Sequence, residues 1–285
     1  MVLSKTQTEL LRRLMSGDSV AASSLRNDIA KELLDEGLLT VGTSGSRRSY
    51  AAIDTVALGA FVASHYGGLT IVDKERITRA EIASETGNSK LMMVRSCPGF
   101  PVNTYEPISC MLNGREFMVN PQEGSFWFVA DWQSFFVPDD VVVVGIENME
   151  NFRMIRQQRK LFEQCIGTVV RLLFVSRYPQ SIDLRSWLQT IPNRYVHFGD
   201  FDLAGINIFL TEFHAHLGSR SSFLIPQDIE ERIAKGSLER YNDQYARYNR
   251  ITSDIKEVQA LIDLINKYHR CYDQEGYIGS VYLPP

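Results

Sequence analysis

The sequence predicts an α/β protein in which a parallel sheet is flanked by helices and preceded by a smaller N-terminal module. Three short strand-like runs alternate with helix-like stretches along the second half of the chain, at residues 141–146, 169–175 and 195–198, and the first of them is rich in β-branched residues. Continuous runs of this kind are typical of strands buried on both faces, and their alternation with helices favours right-handed crossovers. We expect the helices over residues 150–164, 181–189 and 203–217, followed by polar helices over 229–268.

The N-terminal module is predicted to contain two helices followed by a β-hairpin. Leucines recur at helical spacing over residues 4–15, and Gly17 and Gly37 are placed to end the two helices. Helix, helix and hairpin in this order are the layout of a winged helix, a module that binds either DNA or protein. Its basic side chains, which contact phosphates or are simply solvated, are Arg26, Lys31, Arg47 and Arg48.

The boundary between the two domains is placed after a helical connector. We expect a module of residues 1–90, including that connector, and a domain of residues 91–285. Residues 98–138 are aromatic and rich in turns, with strand-like runs at 115–119 and 125–129. The aromatic side chains of this region either stack on nucleobases or, more commonly, cover the adjoining sheet: Trp127, Trp132, Phe135 and Phe136.

Composition sets the class of protein. A chain of 285 residues with 44% hydrophobic and 22% charged residues is an ordinary globular protein of one or two domains. The four cysteines are widely spaced, which suits a reducing cytoplasm and gives no zinc signature. The formal charge of −4 argues against a uniformly basic surface but leaves local basic patches open. No apolar run of the sequence approaches the length of a membrane span, so we expect a cytoplasmic protein without a membrane partner.

Three acidic residues follow the carboxyl ends of two predicted strands. Glu147 follows the run 141–146, and Asp200 and Asp202 follow the run 195–198. Ligands of open α/β sheets bind at this edge, and a set of oxygen ligands favours Mg²⁺ or Mn²⁺. A metal bound there could stabilise charge on a scissile phosphate. The alternative is that Asp202 only caps the next helix while Asp200 lies in a loop.

The residues around these acids resemble a Toprim domain, the magnesium-binding fold of topoisomerases, primases and some nucleases. Residues 199–208, Gly-Asp-Phe-Asp-Leu-Ala-Gly-Ile-Asn-Ile, are similar to the GDxDPxGxxI signature of the topoisomerase VI A-subunit group, with Leu203 where that group usually has proline. Residues 146–152, Ile-Glu-Asn-Met-Glu-Asn-Phe, resemble the VENxxxF form of the JetD/MksG nuclease subunits of Wadjet-type SMC defence systems. The topoisomerase branch more often has lysine at Asn148.

The resemblance implies DNA cleavage with a divalent metal, with Glu147, Asp200 and Asp202 as the matching acids. Residues 273–275, Asp-Gln-Glu, resemble a glutamate-containing element near the end of JetD-like chains, which implies that Glu275 approaches the site. A surface acid in a terminal loop is the alternative for Glu275. The partners implied are double-stranded plasmid DNA, an SMC-like ATPase with its kleisin, and a second copy of the chain in a homodimer that cuts both strands.

The nucleophile separates the two branches of this resemblance. A topoisomerase-type enzyme uses a tyrosine in its winged helix, within a pattern similar to RDIYY. Here the closest run is residues 27–31, with Ala30 and Lys31 in place of tyrosines, and Tyr50 lies on the hairpin without a matching motif. Water is then the expected nucleophile, as in a hydrolytic endonuclease. A topoisomerase-like subunit that uses a tyrosine and a non-catalytic DNA-binding scaffold with a degenerate Toprim domain are the two alternatives.

Overall fold

The computed structural model describes residues 3–45, 47–66, 84, 97–178 and 181–279. The chain divides into two compact units, residues 1–97 and 98–285, each with its own cluster of buried hydrophobic side chains. The predicted boundary between residues 90 and 91 lies outside the described residues. So does almost all of the predicted connector beyond residue 66.

The described part of the N-terminal unit contains three helices and a small antiparallel sheet with the strand order β1-β3-β2. The elements are α1 (Lys5–Met15), β1 (Val20–Ala21), α2 (Asn27–Asp35), β2 (Leu39–Ser44), β3 (Arg47–Ala52) and α3 (Thr55–His65). Ser4 caps α1 by accepting a hydrogen bond from the Gln7 N–H, and Asp54 caps α3 in the same way. The elements follow the predicted order of helix, helix and hairpin, whereas the winged-helix assignment stays a prediction.

The C-terminal unit is built on a mixed sheet with the strand order β11-β10-β8-β9-β4-β7. Its strands are β4 (Phe100–Thr104), β7 (Trp127–Val129), β8 (Val142–Ile146), β9 (Leu172–Ser176), β10 (Tyr195–Phe198) and β11 (Ser221–Phe223). The strands β11, β10, β8 and β9 pair in parallel, and their connections carry the helices. The three runs that were predicted as parallel strands do pair in parallel. The sheet as a whole is mixed, because β4 and β7 extend it by antiparallel pairing. A separate hairpin comprises β5 (Ile108–Leu112) and β6 (Arg115–Val119).

The helices of the C-terminal unit follow the predicted order, but two of them are interrupted. Their bounds are α4 (Met149–Arg153), α5 (Arg159–Ile166), α6 (Ser181–Thr190), α7 (Leu203–Ile208), α8 (Ile229–Ala234), α9 (Leu238–Tyr248) and α10 (Lys256–Tyr268). The helix expected over 203–217 continues beyond Ile208 as a π-helical segment, Phe209–His214, and a last α-helical turn, Ala215–Leu217. The single helix expected over 150–164 is divided by a 3₁₀ turn, Ile155–Gln158. The cause is the Gln158 side chain, whose Nε2 donates to the carbonyls of Asn151 and Met154, which a continuous helix would use for its own N–H groups.

The aromatic side chains of residues 127–136 mainly pack against the unit to which they belong. Phe135 and Trp132 are buried, and the Phe135 ring stacks on Trp187 with the ring centroids 5.5 Å apart. Trp127 packs at the edge of the same core, whereas Phe136 is 51% exposed. Packing rather than base stacking therefore accounts for Trp127, Trp132 and Phe135. In the described part of the chain, no helix is both long and apolar enough to cross a membrane.

Candidate functional site

Glu147 and Asp200 lie at the carboxyl ends of two neighbouring parallel strands. Glu147 directly follows β8, and Asp200 lies two residues beyond β10, whose last residue, Phe198, is opposite Ile146 in the parallel register. The Glu147 N–H donates to the Phe198 carbonyl at 3.0 Å, which extends this pairing to the strand ends. The register brings both acids to one edge of the sheet, where ligands of α/β proteins bind.

The Glu147 carboxylate is held between cationic and polar groups but keeps one oxygen without a hydrogen bond. Arg177, which follows β9, places Nη1 3.2 Å from Oε1 of Glu147. The second oxygen, Oε2, is buried and makes no hydrogen bond. Burial by itself raises the pKa of Glu147, but His197 and Arg177 outweigh it and hold the pKa below its usual range. Glu147 is therefore an anionic group with an open acceptor.

His197 faces this open oxygen from β10. Its Nδ1 lies 2.9 Å from the Tyr195 hydroxyl, and its Nε2 lies 3.8 Å from Glu147 Oε2 without making a hydrogen bond. The ring is buried against Phe213, in the π-helical segment Phe209–His214 that continues α7. His197 is thus a buried histidine in which only one of the two ring nitrogens has a hydrogen-bond partner.

Gly199 keeps the space between these groups open. A Cβ atom at this position would lie 2.7 Å from Glu147 Oε2 and 2.9 Å from His197 Nε2. Gly205 has an equivalent role at the start of α7, where a Cβ would lie 2.5 Å from the Asp200 carbonyl. Both glycines of the motif thus permit close approach of the groups that surround the acids.

Asp202 is bound on both of its oxygens by other parts of the chain. Its side chain is 2% exposed, and Oδ1 caps α7 by accepting from the Gly205 N–H at 2.6 Å. Oδ2 accepts from Gln244 Nε2 at 2.6 Å and from Arg240 Nη2 at 2.9 Å, both from α9. The capping role that the sequence offered as an alternative is confirmed, and a role as metal ligand stays a prediction.

Asp200 lies where the negative charge of the site is concentrated. Its Oδ1 accepts from the Gln274 N–H at 3.0 Å, and its Oδ2 lies 3.5 Å from Arg240 Nη2. Burial raises the pKa of Asp200 most, the Gln274 hydrogen bond opposes it, and three neighbouring carboxylates add to the rise. Those neighbours are Asp202, Glu147 and Glu275, and together the effects raise the pKa of Asp200 to about 6. A cation at this position would relieve that repulsion.

The C-terminal segment, defined here as residues 271–277, carries Glu275 to the site. Tyr272 pairs with Phe201 by two backbone hydrogen bonds, next to the acidic pair. Asn148, the residue after Glu147, donates from Nδ2 to Glu275 Oε1. Gln274 accepts on its carbonyl from Asn151 Nδ2 at 2.8 Å. Glu275 therefore lies beside the strand-end acids, as the resemblance implied, rather than in a free terminal loop.

Arg240 and Gln244 belong to the site, although the sequence did not identify them. They are four residues apart on α9 and so project from one helix face. Arg240 joins three acids, with Nη2 near Asp200 and Asp202 and Nη1 2.6 Å from Asp273. The helical spacing was visible in the sequence, but nothing in it placed α9 against the end of β10.

The donor set fits a hard divalent cation in part. Among the described residues, no group of three His, Cys, Asp or Glu side chains is arranged so as to hold a metal ion. However, Oε2 of Glu147 and Oε2 of Glu275 are buried acceptors without a hydrogen bond, and Asp200 is crowded by other carboxylates. Oxygen ligands of this kind suit Mg²⁺ or Mn²⁺. Glu147 and Asp200 are the residues best placed to hold such an ion.

The predicted DNA-contacting residues lie in the N-terminal unit. Lys31 on α2 and Arg47 and Arg48 on β3 are exposed, whereas Arg26 forms an exposed ion pair with Asp28 at 2.6 Å. Tyr50, also on β3, is half-buried against the core of this unit. Lys31, Arg47 and Arg48 are thus exposed to an anionic partner, Arg26 is engaged by Asp28, and Tyr50 contributes to packing.

The fold and the site define a mixed α/β domain with acidic side chains gathered at the carboxyl edge of its parallel strands. The chain belongs to the family DUF7281, a domain of unknown function, whose sequence profile matches residues 132–280. The matched range contains β8 to β11, the four site acids, Arg240 and most of the C-terminal unit. No curated protein matches the chain.

Proposed function

We propose that the chain is a DNA endonuclease that depends on Mg²⁺ or Mn²⁺ and hydrolyses a phosphodiester bond. The observation that carries the proposal is the pair formed by Glu147 and Asp200 at the ends of adjacent parallel strands, with a buried Glu147 oxygen that makes no hydrogen bond. The Toprim-like sequence around both residues supports the same conclusion. Glu275, held by Asn148, lies close enough to add negative charge to Asp200.

The site residues have distinct roles in this proposal. Glu147 and Asp200 would hold the metal, which when bound supplies charge stabilisation to the scissile phosphate and activates water. Asp202 fixes the start of α7 and thereby the loop that carries Asp200, and as a third ligand it would have to exchange its bond to Arg240. Arg177, partly exposed beside Glu147, is placed to bind a phosphate oxygen.

Water is the proposed nucleophile. The run at residues 27–31 has no tyrosine, and the half-buried Tyr50 packs on the N-terminal core. The topoisomerase-like alternative requires a covalent phosphotyrosine, which would leave protein attached to DNA ends in wild type but not in Tyr50→Phe. DNA ends free of protein would agree with hydrolysis.

The cellular role that we propose rests on the JetD/MksG resemblance. In this role the chain is the cleaving subunit of a cytoplasmic, SMC-like complex that acts on plasmid DNA, with an ATPase and a kleisin as partners. A homodimer would supply two sites for the two strands. Arg26, Lys31, Arg47 and Arg48 would contact phosphates and position the DNA without selecting its sequence.

The direct test is a plasmid-nicking assay with the purified chain in Mg²⁺ or Mn²⁺. We expect Glu147→Gln and Asp200→Asn to reduce nicking at least about 100-fold, because each removes a metal-ligand charge. Glu150 is exposed on α4, so Glu150→Gln makes the same chemical change outside the proposed metal site. It is the matched control and should leave nicking unchanged. Equal nicking by wild type and both site variants would refute the proposed site.

A non-catalytic DNA-binding protein is the second candidate. It is favoured by the complete engagement of Asp202 and by the Arg240 guanidinium, which already neutralises part of the acidic cluster. This candidate predicts that the wild-type chain binds DNA but shows no Mn²⁺ binding by isothermal titration calorimetry. Mn²⁺ binding that is lost in Glu147→Gln would favour the nuclease.

A further inference from the structure

We propose that Arg240 is the built-in counter-ion of the acidic cluster and competes with the divalent cation for it. This inference rests on the proposed metal site and adds to it a residue that tunes metal affinity. In the wild-type chain, the guanidinium neutralises the aspartates when metal is absent. Removing it should therefore make metal binding tighter, although it removes an ion pair from the protein.

The contacts of Arg240 are those of a shared cation. Its Nη2 lies 2.9 Å from Asp202 and 3.5 Å from Asp200, and its Nη1 lies 2.6 Å from Asp273. One positive charge thus faces three carboxylates drawn from two separate parts of the chain. Since Glu147 is paired with Arg177 instead, Arg240 is the cation that serves the Asp200 side of the site.

The position of Arg240 is fixed by the backbone around it. Ser237 caps α9 by accepting from the Arg240 N–H, and Ser237 exchanges two backbone hydrogen bonds with Cys271. Gly236 is required there, because a Cβ would lie 2.1 Å from the Cys271 carbonyl. The backbone of Arg240 is therefore anchored to the C-terminal segment, while its side chain is 39% exposed, which gives the guanidinium a route to solvent.

Arg240 is not needed to keep Asp202 in place. Gln244, one turn further along α9, also binds Asp202 Oδ2 and accepts from the Ala204 N–H at 3.1 Å. The Gly205 N–H holds the other Asp202 oxygen. The neutral contacts thus maintain the geometry of the loop, and Arg240 adds charge. A divalent ion at Asp200 would repel the nearby guanidinium, so the two cations should bind in competition.

The test compares Mn²⁺ binding by calorimetry, in metal-free buffer, to wild type, Arg240→Gln and Arg240→Lys. We expect Arg240→Gln to lower the dissociation constant roughly tenfold, while its melting temperature without metal falls. Arg240→Lys retains the charge and should stay within about threefold of wild type. If circular dichroism shows that Arg240→Gln does not fold, Arg240→Met is used in its place, because methionine keeps the aliphatic part of the arginine side chain.

Arg232→Gln is the matched control. Arg232 Nη1 donates to the Tyr272 hydroxyl of the same C-terminal segment. Among the described residues it forms no hydrogen bond or ion pair with Glu147, Asp200, Asp202 or Glu275, so Arg232→Gln makes the same change in net charge away from the site. We expect its Mn²⁺ affinity to equal that of wild type. A tenfold gain in this control as well would overturn the inference, because net charge alone would then explain the effect.

The outcomes separate this inference from the proposed function. Equal or weaker Mn²⁺ binding by Arg240→Gln, with wild type binding normally, overturns the competition and leaves the metal site standing. Mn²⁺ binding by Arg240→Gln but not by wild type supports the inference, because Arg240 would then exclude the metal completely. Absence of binding in every variant refutes the metal site, and the competition with it.

Discussion

The ends of β8 and β10 carry the same kind of side chain at the same edge of the sheet, but the two ends are built differently. At the end of β8, Glu147 has one oxygen paired with Arg177 and one buried oxygen without a hydrogen bond. Beyond β10, Asp202 has both oxygens engaged by Gly205, Gln244 and Arg240. The difference separates an acid that stabilises the fold from an acid that is open to a ligand.

The two acids differ in how many of their carboxylate oxygens accept a hydrogen bond. A buried carboxylate with every lone pair engaged contributes to stability, whereas a buried acceptor left open costs free energy. A carboxylate oxygen of this kind is able to accept a bond from a ligand without breaking one within the protein. Asp200 lies between the two cases, since Gln274 satisfies one oxygen while the other shares Arg240 with Asp202.

The largest effect that we predict is on stability and arises at Asp202. Asp202→Ala removes the cap of α7 and leaves the Gly205 N–H, Gln244 and Arg240 without their shared acceptor. We expect a loss of about 3 kcal/mol in the free energy of unfolding, measured by urea denaturation. A loss below about 1 kcal/mol would show that Asp202 is not the structural member of the pair.

A different signature is predicted for Glu147. Its site is best disturbed through Gly199→Ala, whose Cβ would press on Glu147 Oε2 and His197 Nε2. Glu147 Oε2 is the end of a side chain and can move away, whereas the His197 ring is buried among aromatic side chains. We therefore expect a stability cost of about 2 kcal/mol, while nicking and Mn²⁺ binding fall at least about tenfold.

The control for Gly199→Ala is Gly59→Ala on α3. A Cβ at Gly59 meets nothing within 4 Å, so this substitution should leave metal binding unchanged and stabilise the helix slightly. If Gly199→Ala binds Mn²⁺ as wild type does, the space between Glu147 and His197 has no part in the site.

Much of this arrangement could be predicted from local sequence. The apolar runs before Glu147 and Asp200 predicted the strands at whose ends these acids lie, because a buried parallel strand needs such a run. β4 was missed because its sequence, Phe-Pro-Val-Asn-Thr, contains a proline and an asparagine that are untypical of a buried strand. The divided helix could not be foreseen either, since the Gln158 contact depends on where the chain turns.

The residues that surround the acids could not be predicted from local sequence patterns. Arg240 and Gln274 come from segments at least about 38 residues away from the acids that they contact. Helical spacing places Arg240 and Gln244 on one face, but only tertiary packing decides which acid that face meets. Glu275 was reached through family resemblance alone. The unsatisfied Nε2 of His197 is likewise a property of packing and not of residue type.

The smallest effect that we predict sharpens the comparison at Asp200, the intermediate case. Burial and three neighbouring carboxylates raise the pKa of Asp200 to about 6, so its charge destabilises the folded state at neutral pH. Asp200→Asn retains an oxygen for the Gln274 N–H and removes that charge, so we expect the free energy of unfolding without metal to rise by about 1 kcal/mol at pH 7.5. Saturating Mn²⁺ should reverse the order, because it stabilises wild type and not the variant. A variant that is less stable than wild type in both conditions would show that the ion pair with Arg240 outweighs the repulsion. Asp200 would then belong with Asp202 among the acids that stabilise the fold.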